Sequence, residues 1–134
     1  MNIEYKVNAE LKENDLKELF LSVEWDSGKY PEKLKTAMEN CPYVVTAWDG
    51  EKLVGLINCM NDGIMTCYMH YVLVHKEYHS QGIGKNMMEM VKEEYKDYIN
   101  LVLVANPEAV DFYKKTGFIA ADDKTPMFIT KVNL

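Results

Sequence analysis

The chain has 134 residues, 15 basic and 21 acidic, for a formal charge of −6, and 48% of its residues are hydrophobic. That length holds one domain with one core, here taken as residues 1–134, and the composition is that of a folded globular chain, not a disordered one. The apolar runs reach about six residues, far short of the roughly 20 that cross a bilayer, so no membrane partner is expected.

All the basic residues are lysine, so the bidentate guanidinium grip on phosphate is missing. An acidic balance without a basic stripe also argues against nucleic acid. The charged start, MNIEYKVNAELKEND, has no signal-like apolar stretch, so the expected location is cytoplasmic. Cys41, Cys59 and Cys67 lack metal-binding spacing and read as reduced thiols; no metal is expected.

In chain order, residues 3–7 alternate and predict a first strand. Leu16, Leu19, Phe20 and Val23 form a helical stripe, with Asp15 and Glu18 at capping-box spacing. After Asp26-Ser27-Gly28, Pro31 opens a second helix carrying Leu34, Ala37, Met38 and Cys41. Three antiparallel strands follow: Tyr43–Trp48, Leu53–Met60 and Ile64–Val74, with turns at Asp49-Gly50 and Asn61-Asp62-Gly63.

The period then changes. Ile83, Met87, Val91 and Tyr95 mark a helix over residues 82–95. Ile99–Val104 is nearly unbroken and apolar, the pattern of a central strand covered on both faces. Asn106, Pro107 and Gly117 frame a fourth helix, and Phe118–Ala121 and Met127–Val132 read as two closing strands. The expected fold is a mixed α/β (α+β) domain. It has a mostly antiparallel sheet of six to seven strands and four helices, in the order β-α-α-β-β-β-α-β-α-β-β.

Chemistry concentrates in the strand–loop–helix stretch Val72-Leu73-Val74-His75-Lys76-Glu77-Tyr78-His79-Ser80-Gln81-Gly82-Ile83-Gly84-Lys85. Glycines let a backbone approach a ligand, and first-turn N–H groups with the helix dipole suit an anion, most often phosphate. The patterns Gly-x-x-x-x-Gly-Lys-Ser/Thr and Gly-x-Gly-x-x-Gly both fail here, since Asn86 follows Lys85 and Met87 holds the last glycine position. Neither a nucleoside triphosphatase nor a dinucleotide enzyme fits.

Two stretches together resemble the GCN5-related N-acetyltransferases over essentially the whole chain. The first is His79-Ser80-Gln81-Gly82-Ile83-Gly84, like the family's Arg/Gln-x-x-Gly-x-Gly/Ala; His79 departs from it. The second is Asn106, Ala109, Phe112, Tyr113, Gly117 and Phe118, like Asn-x-x-Ala-x-x-Phe-Tyr-x-x-x-Gly-Phe. The run Trp25, Tyr30-Pro31, Val54-Gly55 and Val74-His75 looks most like the small arylalkylamine-type members.

The resemblance implies acetyl-CoA as co-substrate and direct attack by a small-molecule primary amine. It implies pyrophosphate on the amides of Gln81 to Lys85, with His79 and Ser80 in the same cofactor-binding loop, and a pantetheine arm along Val72, Leu73 and Val74. It implies that Asn106 touches that arm and that Tyr113 protonates the leaving thiolate. His70 becomes the candidate base, expected on the face of Val72 and Val74 by parity; Tyr68 stands where related enzymes carry a second histidine. Trp25, Asp26 and Tyr30, with Trp48, are expected at the acceptor. Protein acetylation and a non-catalytic acyl-CoA sensor are the alternatives, and a homodimer is a further expectation. His75 and His79 read as loop residues.

Overall fold

The computed structural model describes residues 2–132. Its elements are β1 (Ile3–Val7), α1 (Glu13–Ser22), α2 (Pro31–Asn40), β2 (Tyr43–Asp49), β3 (Lys52–Asn61), β4 (Thr66–Val74), α3 (Ile83–Glu94), β5 (Asn100–Leu103) and α4 (Val110–Lys115). Short 3-10 turns lie at Asp26–Lys29, Lys76–Tyr78 and Pro107–Ala109. The five strands form one sheet in the order β1-β2-β3-β4-β5, antiparallel except for the β4–β5 pair. No helix among the described residues is long and apolar enough to cross a membrane.

The turns follow the expected chemistry. Gly50 takes φ +61 in the β2–β3 connection. Asp62 Oδ1 accepts from the amides of Ile64, Met65 and Thr66 at 3.0, 2.7 and 3.1 Å, so the chain enters β4 at Thr66 and not at Ile64. These backbone bonds hold the exposed Asp62 carboxyl below its usual range. Pro31 opens α2 as expected. The α1 cap differs: Lys12 stands at the N-cap without a side-chain bond, and Asp15 lies inside the first turn.

The sheet separates two apolar layers. On one face Leu16, Leu19, Phe20, Leu34 and Met38 of α1 and α2 pack on Val44, Leu53, Leu56 and Leu73. On the other, Ile83, Met87, Met88 and Val91 of α3 pack on Val45, Val54, Ile57, Cys59, Cys67 and Met69. Gly55 brings α3 close, because a Cβ there would meet Met87 Cε at 2.9 Å.

The C-terminal third overturns two expectations. The segments Phe118–Ala121 and Met127–Val132 form no strand, so the sheet has five strands instead of six or seven. Ala121 to Lys124 closes a turn, with the Lys124 amide on Ala121 O at 3.2 Å, and Pro126 lacks the N–H a ladder needs. Ile119 and Ile129 stand in solvent, 92% and 107% exposed. β5 is consequently an edge strand and not a central one, with Val102 exposed, as are Ile99 and Val104 on either side of it. Its apolar run says that it is hydrophobic, not that both faces are covered.

Candidate active site

β4 is one strand with two kinds of neighbour. It pairs with β5 from Thr66↔Asn100 to Met69↔Leu103 and no further. On its other side it pairs with β3 as far as Gly55↔Val74. Residues 70–74 therefore border a gap between β4 and β5.

A bulge sits at the start of that gap. Ile57 pairs with Val72 and Cys59 with Met69, so His70 and Tyr71 together oppose the single residue Asn58. Asn58 is buried, and its Oδ1 accepts from the Tyr71 amide at 2.7 Å, replacing the ladder bond lost there. An extra residue inverts the alternation of faces. Cys67 and Met69 pack toward α3 before the bulge, and Val72 and Val74 do so after it. Tyr71 and Leu73 point to the α1–α2 layer. His70 thus lies on the face opposite Val72 and Val74, correcting the parity expectation. Its Nδ1 is 2.9 Å from the Tyr68 hydroxyl, and its ring meets Tyr71 edge-on at 4.4 Å. His70 is exposed overall, but partial desolvation of its ring lowers its pKa below the ordinary histidine value, which favours the neutral imidazole.

Tyr113 is reached from the other layer. It lies in α4, between Phe112 and Phe118 at ring distances of 5.2 and 5.7 Å, against the α3-side core. Its hydroxyl bonds no other described residue. Burial pushes its pKa up to about 12, so at neutral pH the phenol keeps its proton.

The loop after β4 is built from backbone. Ser80 and Gly82 take φ +65 and +79, and Gly82 caps α3 without a side-chain bond. The first helical bond runs from the Asn86 amide to Gly82 O at 3.0 Å, leaving the amides of Ile83, Gly84 and Lys85 without helical acceptors. The two glycines differ in purpose. Gly82 supplies the left-handed turn; a Cβ on Gly84 would lie 3.4 Å from Phe112 Cζ, an ordinary contact, so Gly84 marks where α3 touches α4 and a methyl would fit there. Gln81 and Lys85 are exposed beside them, and Asn106 is exposed before the 3-10 turn that enters α4. Residue by residue, the amides at the start of α3 and the open edge of β4 suit a phosphorylated ligand with an extended amide arm.

On the α1–α2 face, Trp25 packs with Phe20 and Tyr71 at 6.2 and 6.1 Å, and Tyr71 with Phe20 at 4.9 Å. The Ser27 Oγ is 2.8 Å from the Tyr71 hydroxyl. Trp25 therefore joins His70 through Tyr71, a residue that sequence reasoning passed over because alternation alone gives it no special place. Asp26 pairs with Lys29 at 3.3 Å, and Tyr30 is exposed at the entry to α2. Trp48 does not belong to this group: it is buried in β2 and its Nε1 donates to Thr46 Oγ1 at 2.8 Å.

The loop histidines are more engaged than expected. His75 is buried; its Nδ1 accepts from the Glu77 amide and its Nε2 lies 3.0 Å from Glu18 Oε1. The exposed His79 places Nε2 2.7 Å from Val74 O.

A family model described as an acetyltransferase (GNAT) domain matches residues 9–127. The chain belongs to the GNAT family. An uncharacterized N-acetyltransferase of the alga Gracilaria tenuistipitata is 30% identical over 92% of this GNAT chain and 70% of its own length. The GCN5-related N-acetyltransferase 2, chloroplastic, of Arabidopsis thaliana is 35% identical over 54% of this chain and 31% of its own. Among solved structures, a GNAT-family protein of Streptococcus pneumoniae superimposes with a TM-score of 0.81 at 26% identity, covering 98% of this chain and 100% of that one. A probable acetyltransferase of Staphylococcus aureus gives 0.87 at 23% identity over 96% and 99%. This GNAT chain is an N-acetyltransferase.

Proposed function

We propose that the enzyme moves an acetyl group from acetyl-CoA to the primary amine of a small molecule, by direct attack in a ternary complex. The observation that carries this reading is the half-paired β4, with His70 on one face of the sheet and Tyr113 on the other. The pyrophosphate would rest on the amides from Gln81 to Lys85. The pantetheine arm would add to the open edge of β4 at Val72 to Val74, as a strand does, with Asn106 beside it.

The amine arrives as an ammonium ion. His70, whose lowered pKa favours the neutral ring, takes one of its protons, and the freed lone pair attacks the thioester carbonyl. The oxyanion gains from a backbone N–H of β4 in the gap. As the C–S bond breaks, the Tyr113 phenol protonates the sulfur, and the proton shed by the new amide nitrogen restores it. The thiols take no part: Cys59 and Cys67 are both fully buried in the α3-side core, out of reach of an acyl group. Trp25, Tyr71 and His70 form an aromatic wall for the acceptor, with Ser27, Asp26 and Tyr30 near its end of α1. That wall favours an amine carrying a ring or a diffuse positive charge.

Thiol release from acetyl-CoA is the test, across arylalkylamines, polyamines, aminoglycosides, amino sugars and peptides. Release with a small amine and not with peptides is expected. Preference for peptides would point to protein acetylation, and tight coenzyme A binding with no release to a sensor.

A further inference from the structure

The register of β4 fixes where its backbone points. The His75 amide donates to Val54 O at 2.8 Å and the Tyr71 amide to Asn58 Oδ1 at 2.7 Å, so both residues face β3. In an antiparallel ladder, alternate residues turn their polar groups toward and away from the same neighbour. Val72 and Val74 therefore turn theirs away from β3, into the gap that β5 vacates after Met69↔Leu103. One of those groups already has a partner. His79 lies 2.7 Å from Val74 O through Nε2, and because a carbonyl only accepts, that nitrogen carries the proton.

The turn bearing His79 is held without it. His75 is tied to Glu18 at 3.0 Å, the Lys76 amide donates to Ser22 Oγ at 3.2 Å, and the Tyr78 hydroxyl donates to Asp49 Oδ2 at 2.6 Å. His79 itself is exposed, so its ring can leave Val74 O without opening the core or the bonds that hold residues 75–78.

We propose that His79 is a strap across the mouth of the gap: its N–H stands in for an amide of the pantetheine arm and releases Val74 O when the arm pairs with β4. This rests on the acyl-CoA reading of the site. The strap makes His79 a specificity-determining residue for the arm and leaves the nucleotide end of the ligand to the α3 amides. It also assigns a purpose to the one position where the glycine-loop motif departs from its usual arginine or glutamine.

The test compares coenzyme A with adenosine 3′-phosphate 5′-diphosphate, which keeps the pyrophosphate and lacks the arm. Dissociation constants are measured by calorimetry for the wild type, His79→Ala and His79→Phe; the second variant keeps a ring but no N–H. Both variants should bind coenzyme A about threefold to tenfold more tightly, the range of one neutral hydrogen bond no longer broken. Their affinity for the armless nucleotide should not change. Unchanged or weaker coenzyme A binding overturns the strap, as does parallel weakening for both ligands, which would make His79 a brace. A wild type that binds neither ligand overturns the coenzyme A reading itself, and the strap with it.

Discussion

Residues 66–69 of β4 are paired along both edges, whereas residues 70–74 are paired along one. The first half is architecture. Its inward side chains, Cys67 and Met69, are buried and its outer edge is sealed by β5. The second half keeps the same backbone direction but shows one edge to the gap, and the residues proposed for chemistry collect around it. Between the halves lies the two-against-one bulge at His70 and Tyr71, closed by the Asn58 side chain. On the proposed reading, a strand would become a binding site by losing a neighbour, not by gaining an unusual residue.

Three substitutions probe that division. Tyr113→Phe should have the largest effect, a kcat lower by about a thousandfold, within the span of general acid catalysis. Its coenzyme A affinity should stay within about twofold; an equal loss in binding would make Tyr113 a packing residue.

His70→Gln should lower kcat by about a hundredfold. The pH profile sharpens this. The folded-state pKa of His70 is depressed, so the neutral base persists at neutral pH, and wild-type kcat should fall only on the acid side, below the ordinary histidine value. On the alkaline side Tyr113 should hold its proton until about pH 12. A His70→Gln enzyme that keeps the acid limb would place the base elsewhere.

Asn58→Ala should act on stability. It leaves the Tyr71 amide without its acceptor beside the core, at a cost of about 1–3 kcal/mol in urea unfolding. Unchanged stability would mean that the bulge is fixed by something other than this bond.

Much of the layout was legible in the sequence. The helical stripes of α1 and α3, Pro31, the Asp49-Gly50 turn and the glycine loop each act within a few residues, where local chemistry decides conformation. What failed depends on distant partners. The bulge exists because Asn58 in β3 faces Tyr71 in β4, and no count of alternation along β4 alone detects the extra residue. Hence strand parity puts His70 on the wrong face. The apolar run of β5 reads as a central strand, but coverage depends on strands that residues 118–132 do not form. His75 looked like a loop residue because its partner, Glu18, lies 57 positions earlier.

The gap also lies on a seam in the order of assembly. β2, β3 and β4 are joined by tight turns, so their pairing is local in the chain and closes early and cheaply. β5 joins β4 only after the chain has passed through α3, and then over four residue pairs. The half-open strand thus marks the boundary between a robust, quickly formed meander and a short, late addition. The shortest pairing of the sheet is thus also the one beside which catalysis would take place.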